Sequence, residues 1–175
     1  MLNALRRNTE KARLVRALYE TLTAQARQPV FFVQFGVADT LDGRFDLVAL
    51  HAWLVFERLH ACGMDEVAHG LSDALFVGFD EALRDLGAGD MGMGRKIKQM
   101  GDAFNGRVTA YRAASSEMEL MEAILRNLYR GDINHKLDAL AVARYAQSAR
   151  ACLALCDPRS GILNFGPLPH RRNQT

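Results

Sequence analysis

The sequence has no apolar run of about 20 residues, the length that a membrane-spanning helix requires. Its three cysteines are an odd number, which argues against a disulfide framework and favours a reducing compartment. A formal net charge of +2 is too small to indicate nucleic-acid binding by itself. Charged residues throughout residues 1–16 argue against a secretory signal. These absences predict a cytoplasmic protein, and its 175 residues suffice for one domain with a hydrophobic core.

Patterns typical of β-strands are also scarce. Only residues 30–35 are strand-like, and no second strand is available to pair with them, so we expect a short helix or an extended segment packed on the core. Every long segment instead carries apolar residues at helical spacing. The sequence predicts an all-α, single-domain bundle of about six helices without significant sheet over residues 1–158, followed by an irregular tail over residues 159–175. The predicted helices cover residues 2–27, 44–62, 64–86, 91–114, 117–130 and 136–156.

Catalytic constellations are missing as well. The segment 44–62 is apolar on nearly all sides and is expected to be central, so His51 on it is interpreted as a hydrogen-bonded core histidine. Gly87-x-Gly89-x-x-Gly92 matches a dinucleotide fingerprint, but that motif needs an entering strand, and here a helix enters. We interpret it as a turn between helices, and we expect no cofactor and no enzymatic activity.

Two Glu-x-x-His pairs could ligate a metal: Glu57 with His60, and Glu66 with His69. Di-iron bundles use such pairs together with further inward-facing glutamates from other helices. The other predicted helices offer no matching glutamates, so solvated helix faces are the preferred interpretation and no metal site is predicted. A helical metal-binding protein or small enzyme that uses these four residues stays open as the alternative.

Cations crowd the predicted start of the helix at residues 91–114. Arg95, Lys96 and Lys98 stand where the helix macrodipole disfavours positive charge, which indicates an anionic partner or simply a solvated face. Methionine, which adapts to irregular apolar surfaces, lies beside them. The predicted partner-binding residues are Met91, Met93, Arg95, Lys96, Lys98 and Arg107.

A connector before the central helix carries short polar side chains. Asp39 and Asp42 can bond to nearby backbone N–H groups, and Arg44 can tie the connector to a carboxylate through its planar guanidinium. We predict a structural loop formed by Asp39, Asp42 and Arg44.

Three segments together resemble the ubiquinol–cytochrome c chaperone family. They read GVADTLDGRFDLVALH at residues 36–51, FDEALRDLGAGDMGMGRKIK at residues 79–98, and FNGR at residues 104–107 followed by Tyr111. The resemblance extends over roughly residues 18–155, and the two glycine-bearing segments are specific rather than compositional.

The resemblance implies a function and supplies no catalytic residues. Mitochondrial members of the family assist assembly of the cytochrome bc1 complex, bind newly made cytochrome b together with a small partner protein, and associate with the mitochondrial ribosome. The resemblance implies an assembly factor that does not bind DNA, and we expect a bacterial-type member of the family. Its expected location is the cytoplasm or the periphery of the inner membrane (on the matrix side in a eukaryote). Its client would be cytochrome b or a related respiratory membrane protein, held in an apolar groove with a basic rim. A ribosome- or RNA-binding adaptor is a further alternative.

Overall fold

The computed structural model describes residues 2–85 and 93–169, and within these ranges the chain is helical without a strand. The predicted all-α fold is confirmed. The glycine-rich turn predicted at residues 87–92 lies outside the described residues. The helices are α1 (Leu2–Ala26), α2 (Pro29–Val33), α3 (Leu41–Ala61), α4 (Asp65–Asp85), α5 (Met93–Ala113), α6 (Glu117–Leu128) and α7 (Lys136–Ala154).

Helix α3 is the centre of the bundle, as its composition predicts. It packs against α1, α4, α5, α6 and α7. Leu47, Leu50, Leu54 and Leu59 are fully buried, and so are the small residues between them. A helix that is apolar on nearly all sides gains most when other helices cover all of it, because the hydrophobic free energy scales with the apolar area removed from water.

The strand-like segment forms the short helix α2. Pro29 occupies its first turn, where a missing backbone N–H costs nothing. Phe31 and Phe35 are fully buried and hold the segment on the core. The aromatic residues that make the segment look strand-like therefore serve as anchors for one helical turn.

The start of α3 differs from the prediction. The helix begins at Leu41 rather than at residue 44, because Thr40 caps it and accepts a hydrogen bond from the Gly43 N–H at 3.2 Å. The connector crosses this first turn so closely that a Cβ on Gly43 would lie 2.0 Å from the Ala38 carbonyl oxygen. Only glycine fits at this position. Gly43 looks like a turn residue in the sequence, but it is a residue of the first turn of α3 that lies against the crossing connector.

Between α7 and residue 169, the described part of the tail is irregular apart from a 3-10 turn at Pro158–Ser160. Leu163 and Phe165 are buried in the core cluster, whereas Ile162 is exposed. Apolar residues of such a tail can dock either on the domain itself or on a partner. Leu163 and Phe165 dock on the domain, so the described part of the tail covers the core.

His51 is a hydrogen-bonded core residue, as predicted. Its Nδ1–H donates to the Leu47 carbonyl at 2.7 Å, and its Nε2 accepts from the Tyr145 hydroxyl at 2.8 Å. The Tyr145 hydroxyl in turn accepts from the Gln25 side-chain amide at 2.9 Å. When the imidazole is neutral, each donor in this chain of hydrogen bonds meets an acceptor. The chain links α1, α3 and α7. Burial lowers the pKa of His51 from 6.5 to about 4, although the Leu47 carbonyl opposes that shift.

This buried histidine should make the fold sensitive to acid. Between pH 6.5 and about 4 the unfolded chain binds a proton at His51 that the folded chain excludes, so stability falls as pH falls. The loss should approach about 3 kcal/mol for this group. Chemical denaturation at several pH values checks it: His51→Asn should flatten the dependence relative to the wild type. His69→Asn, at an exposed ring, should keep the wild-type slope, and equal slopes for all three proteins would contradict the prediction.

Candidate functional site

The three segments that carry the family resemblance meet at one place in the fold. Phe45 of the first segment lies 5.0 Å from Phe79 of the second, between ring centroids. Phe104 of the third segment lies 6.4 Å from Phe45 and 6.3 Å from Phe79. These aromatic rings join α3, α4 and α5, so residues from all three segments form one internal junction.

A buried carboxylate stands beside this junction. Asp46 has no exposed side-chain surface, and two arginines reach it from other elements. The Arg107 Nε donates to Asp46 Oδ1 at 2.6 Å, and the Arg130 Nη1 donates to Oδ2 at 2.7 Å. The Arg107 guanidinium also lies 5.0 Å from the centroid of the Phe45 ring. The cluster connects α3 to α5 and to the turn after α6.

The charge of Asp46 depends on these two arginines. Loss of water raises the pKa of Asp46 above its ordinary value, and the charges and hydrogen bonds of Arg107 and Arg130 oppose that rise. The Arg107 side chain is 17% exposed, whereas that of Arg130 is 52% exposed. Arg107 is the more deeply enclosed partner and the one with less access to compensating water.

Arg107 thus has an internal role that sequence reasoning missed. The sequence groups it with the surface cations at residues 95–98, whereas the structure engages its guanidinium with Asp46, and with the Ala103 carbonyl at 3.0 Å. A signal was available, because Asp46 is an acid within the most apolar helix. A buried acid requires a cationic partner, so an arginine from another helix could have been expected beside Asp46, although its identity could not.

The other predicted partner-binding cations lie where a partner can reach them. Arg95, Lys96 and Lys98 are exposed on the first turns of α5 and form no ion pair with any residue of the described ranges. Many other arginines are neutralised locally, for example Arg6 by Glu10 and Arg16 by Glu20. Met91 and the side chain of Met93 are outside the described part of the chain. Among the described residues, the start of α5 is therefore a group of neighbouring cations without an acidic partner.

The predicted structural-loop residues occupy the connector and the first turn of α3. The Arg44 Nε donates to Asp39 Oδ1 at 2.7 Å, in an ion pair that is exposed on both sides. Asp42 is 83% exposed, and its carboxylate lies 4.0 Å from Arg130. Exposed pairs of this kind contribute at most about 1 kcal/mol. Their structural role stays a prediction.

The two Glu-x-x-His pairs form separate contacts with other groups. Glu57 pairs with Arg112 at 2.9 Å and with Arg150 at 3.5 Å. His60 Nδ1 lies 2.6 Å from Asp65, and Glu66 pairs with Lys11 at 3.3 Å. Over residues 2–85 and 93–169, no group of three or more His, Cys, Asp or Glu side chains is placed to hold a metal ion.

An apolar groove opens between α1, α3 and α4. Its walls include Tyr19 of α1, Val48 of α3 and Leu75 of α4, and two arginines, Arg27 and Arg44, stand at its edge. Its volume is about 120 Å³. The same two arginines also border a second hollow of about 270 Å³ on the side of α2.

This helical architecture has a close counterpart among solved structures. The crystal structure of the Cbp3 homolog from Brucella abortus is similar to it, with a TM-score of 0.83 and 32% sequence identity over 95% of this chain and 97% of that chain. The family model described as ubiquinol-cytochrome C chaperone matches residues 33–161. The chain belongs to the ubiquinol–cytochrome c chaperone family. No curated protein gives a significant match. None of the helices described in residues 2–85 and 93–169 is long and apolar enough to cross a membrane.

Proposed function

We propose that the protein is a non-enzymatic assembly factor for the cytochrome bc1 complex, and that it binds newly made cytochrome b. Membership of the ubiquinol–cytochrome c chaperone family supports the proposal, because the match covers most of the chain. Phe45, Asp46, Phe79, Phe104 and Arg107, which lie in the three segments of the resemblance, are engaged in an internal aromatic and ionic junction. These buried residues support the fold, so we expect the client contact at exposed residues, which include Arg95, Lys96 and Lys98 at the end of the second segment.

The observation that favours a particular surface is the group of cations on α5 that form no ion pair within residues 2–85 and 93–169. Arg95, Lys96 and Lys98 are exposed near the positive end of a helix, where they raise the local potential further. A partner that brings carboxylates or phosphates to this end would lower the electrostatic free energy of the complex. We propose that this surface contacts the client, or the ribosome that delivers it, during synthesis of cytochrome b.

Removal of these charges should weaken the partner complex and leave the fold intact. In the triple variant Arg95→Gln, Lys96→Gln and Lys98→Gln, the melting temperature should stay close to that of the wild type because exposed charges contribute little stability. Cytochrome b recovered with the tagged protein from membranes of the source organism should decrease. Recovery by the wild type should fall as salt is raised, and recovery by the variant should depend on salt much less.

A matched variant controls for net charge. Arg13, Arg126 and Lys136 are also exposed and without an ion pair to any described residue, so their replacement by Gln removes the same charge elsewhere. This control should recover cytochrome b as the wild type does. Equal recovery by the α5 variant and the wild type at low and high salt would exclude this surface. Recovery of ribosomal RNA in place of cytochrome b would favour the adaptor function instead.

A further inference from the structure

The groove between α1, α3 and α4 extends along α1. On α1 and the turn that follows it, the wall runs from Tyr19 through Thr23 to Arg27, eight residues or about 12 Å. Across from them it is lined by apolar side chains, among them Phe45, Val48 and Phe79. The groove therefore offers an apolar channel whose charged end lies near Arg27.

Close approach of α1 and α4 sets the width of this groove. A Cβ on Gly78 would lie 2.4 Å from the Tyr19 hydroxyl oxygen, so the glycine lets the tyrosine ring lie against α4. An α-helix with its side chains is about 10–12 Å across, which a space of about 120 Å³ does not admit. A single unbranched hydrocarbon chain is narrow enough. We expected an apolar groove for a nascent apolar segment of the client, and the groove formed here by the described residues fits a ligand thinner than a helix.

Among the described residues, the charges at the open end of the groove leave one positive charge without a partner. Arg27 is exposed and forms no ion pair with a residue in the described ranges. Arg44 beside it is paired with Asp39 at 2.7 Å. Two arginines and one aspartate sum to one net positive charge, which a monoanion would neutralise. Guanidinium groups bind phosphate oxygens through two parallel hydrogen bonds, so a phosphodiester suits this place.

A second apolar surface begins on the other side of the same arginines. Pro29, Phe32 and Val33 line the hollow there, and Val33 is 81% exposed. A position that binds one anion, with an apolar space on each side of it, matches a ligand with one phosphate and two hydrocarbon chains.

We propose that this end of the protein binds a single monoanionic phospholipid. The phosphodiester lies between Arg27 and Arg44, one acyl chain enters the groove between α1, α3 and α4, and the other covers Phe32 and Val33. Burial of the chains stabilises the complex through the hydrophobic effect, and the arginines select the anionic headgroup. The site uses none of the α5 cations, and it is independent of the proposed client contact.

Titration calorimetry of the full chain tests this site with dioctanoyl phosphatidylglycerol and dioctanoyl phosphatidylcholine, each below its micelle concentration. The anionic lipid should bind with a stoichiometry of one, and the zwitterionic lipid at least about tenfold more weakly, because its choline group approaches the arginines. Arg27→Gln should weaken phosphatidylglycerol binding by about tenfold or more, since a hydrogen bond to a charged group contributes about 1.5–3 kcal/mol.

Two further variants separate the hydrocarbon groove from general effects. Ala82 is half-buried at the groove, so Ala82→Leu should obstruct it and weaken binding, whereas Ala110→Leu, at a half-buried position of α5 that does not line the groove, should not. Arg13→Gln serves as the matched charge control on α1 and should bind as the wild type does. Circular dichroism establishes that each variant is folded.

Equal binding of the two lipids, or unchanged binding by folded Arg27→Gln and Ala82→Leu, would overturn the proposal. Loss of cytochrome b recovery in Ala82→Leu, without lipid binding by the wild type, would also overturn it and would assign the groove to an apolar side chain of the client. The lipid measurement contains no client protein, so an absence of lipid binding would not contradict the proposed assembly function. Likewise, an absence of cytochrome b recovery would not contradict lipid binding.

Discussion

Replacement of Asp46 by alanine should lower the free energy of unfolding by about 3 kcal/mol. The carboxylate is fully buried and accepts hydrogen bonds from Arg107 at 2.6 Å and from Arg130 at 2.7 Å. Its loss leaves the enclosed Arg107 guanidinium without a counter-charge, and an uncompensated buried charge is costly. Arg130 is half-exposed and can turn to water, so Arg107 accounts for most of the effect. Arg107→Ala should therefore destabilise more than Arg130→Ala.

Chemical denaturation followed by far-ultraviolet circular dichroism measures this effect. Asp39→Ala is the matched control, because it also removes an aspartate paired with an arginine at 2.7 Å, but at an exposed site. Its unfolding free energy should change by less than about 1 kcal/mol. Equal changes for Asp46→Ala and Asp39→Ala would contradict the interpretation of Asp46 as a buried junction between helices.

Phe104→Ala should be at least as damaging, with a loss of about 4 kcal/mol in the free energy of unfolding. The ring is buried and lies within 6.4 Å of the Phe45 ring, with Phe76 at 5.5 Å between centroids. Truncation removes the contacts that join α5 to α3 and α4 and leaves a cavity among large rings that can close only in part. Phe104→Leu should recover much of the loss because it refills most of the volume.

Val77→Ala provides the comparison at an exposed apolar position of α4. It removes fewer atoms, and these atoms are in contact with water in the folded protein, so the change should stay within about 0.5 kcal/mol. The same denaturation experiment measures all three variants. A loss for Phe104→Ala as small as that for Val77→Ala would show that the aromatic junction does not hold α5 on the bundle.

Much of the fold could be predicted because it rests on local periodicity. Apolar residues at helical spacing predicted every long helix, and the all-round apolar character of residues 44–62 predicted the central position of α3. The start of α3 was less predictable, because Gly43 looks like a turn residue. Glycine is required at this position because the Ala38 carbonyl crosses the first turn of α3. That contact depends on the path of the connector, which the local sequence pattern does not show.

The chemistry of single residues was harder to predict, because it depends on partners that are distant in the chain. His51 could be interpreted from its place on a buried helix, although its partner Tyr145 could not be named. Arg107 resembled the neighbouring cations of α5, and only the fold shows that it faces Asp46, 61 residues earlier. The position and lining of the groove at Arg27 and Arg44 could likewise not be predicted, because three helices contribute its walls.

These findings divide the chain into residues that hold the fold and surfaces that are free to bind. The motifs that resemble the family contribute Phe45, Asp46, Phe79, Phe104 and Arg107 to the interior. Variants there should lower client binding only through loss of folded protein. Variants at the α5 cations should lower it while the melting temperature stays unchanged.

A pulse-labelling experiment tests the proposed assembly function most directly. The tagged protein is produced in the organism that encodes it, membrane proteins are labelled briefly during synthesis, and the tagged protein is recovered at intervals after the label is removed. Labelled cytochrome b should be bound at the earliest time and should leave the tagged protein as it enters the mature cytochrome bc1 complex. Absence of labelled cytochrome b from the tagged protein at every interval, while the mature complex acquires label normally, would contradict the account.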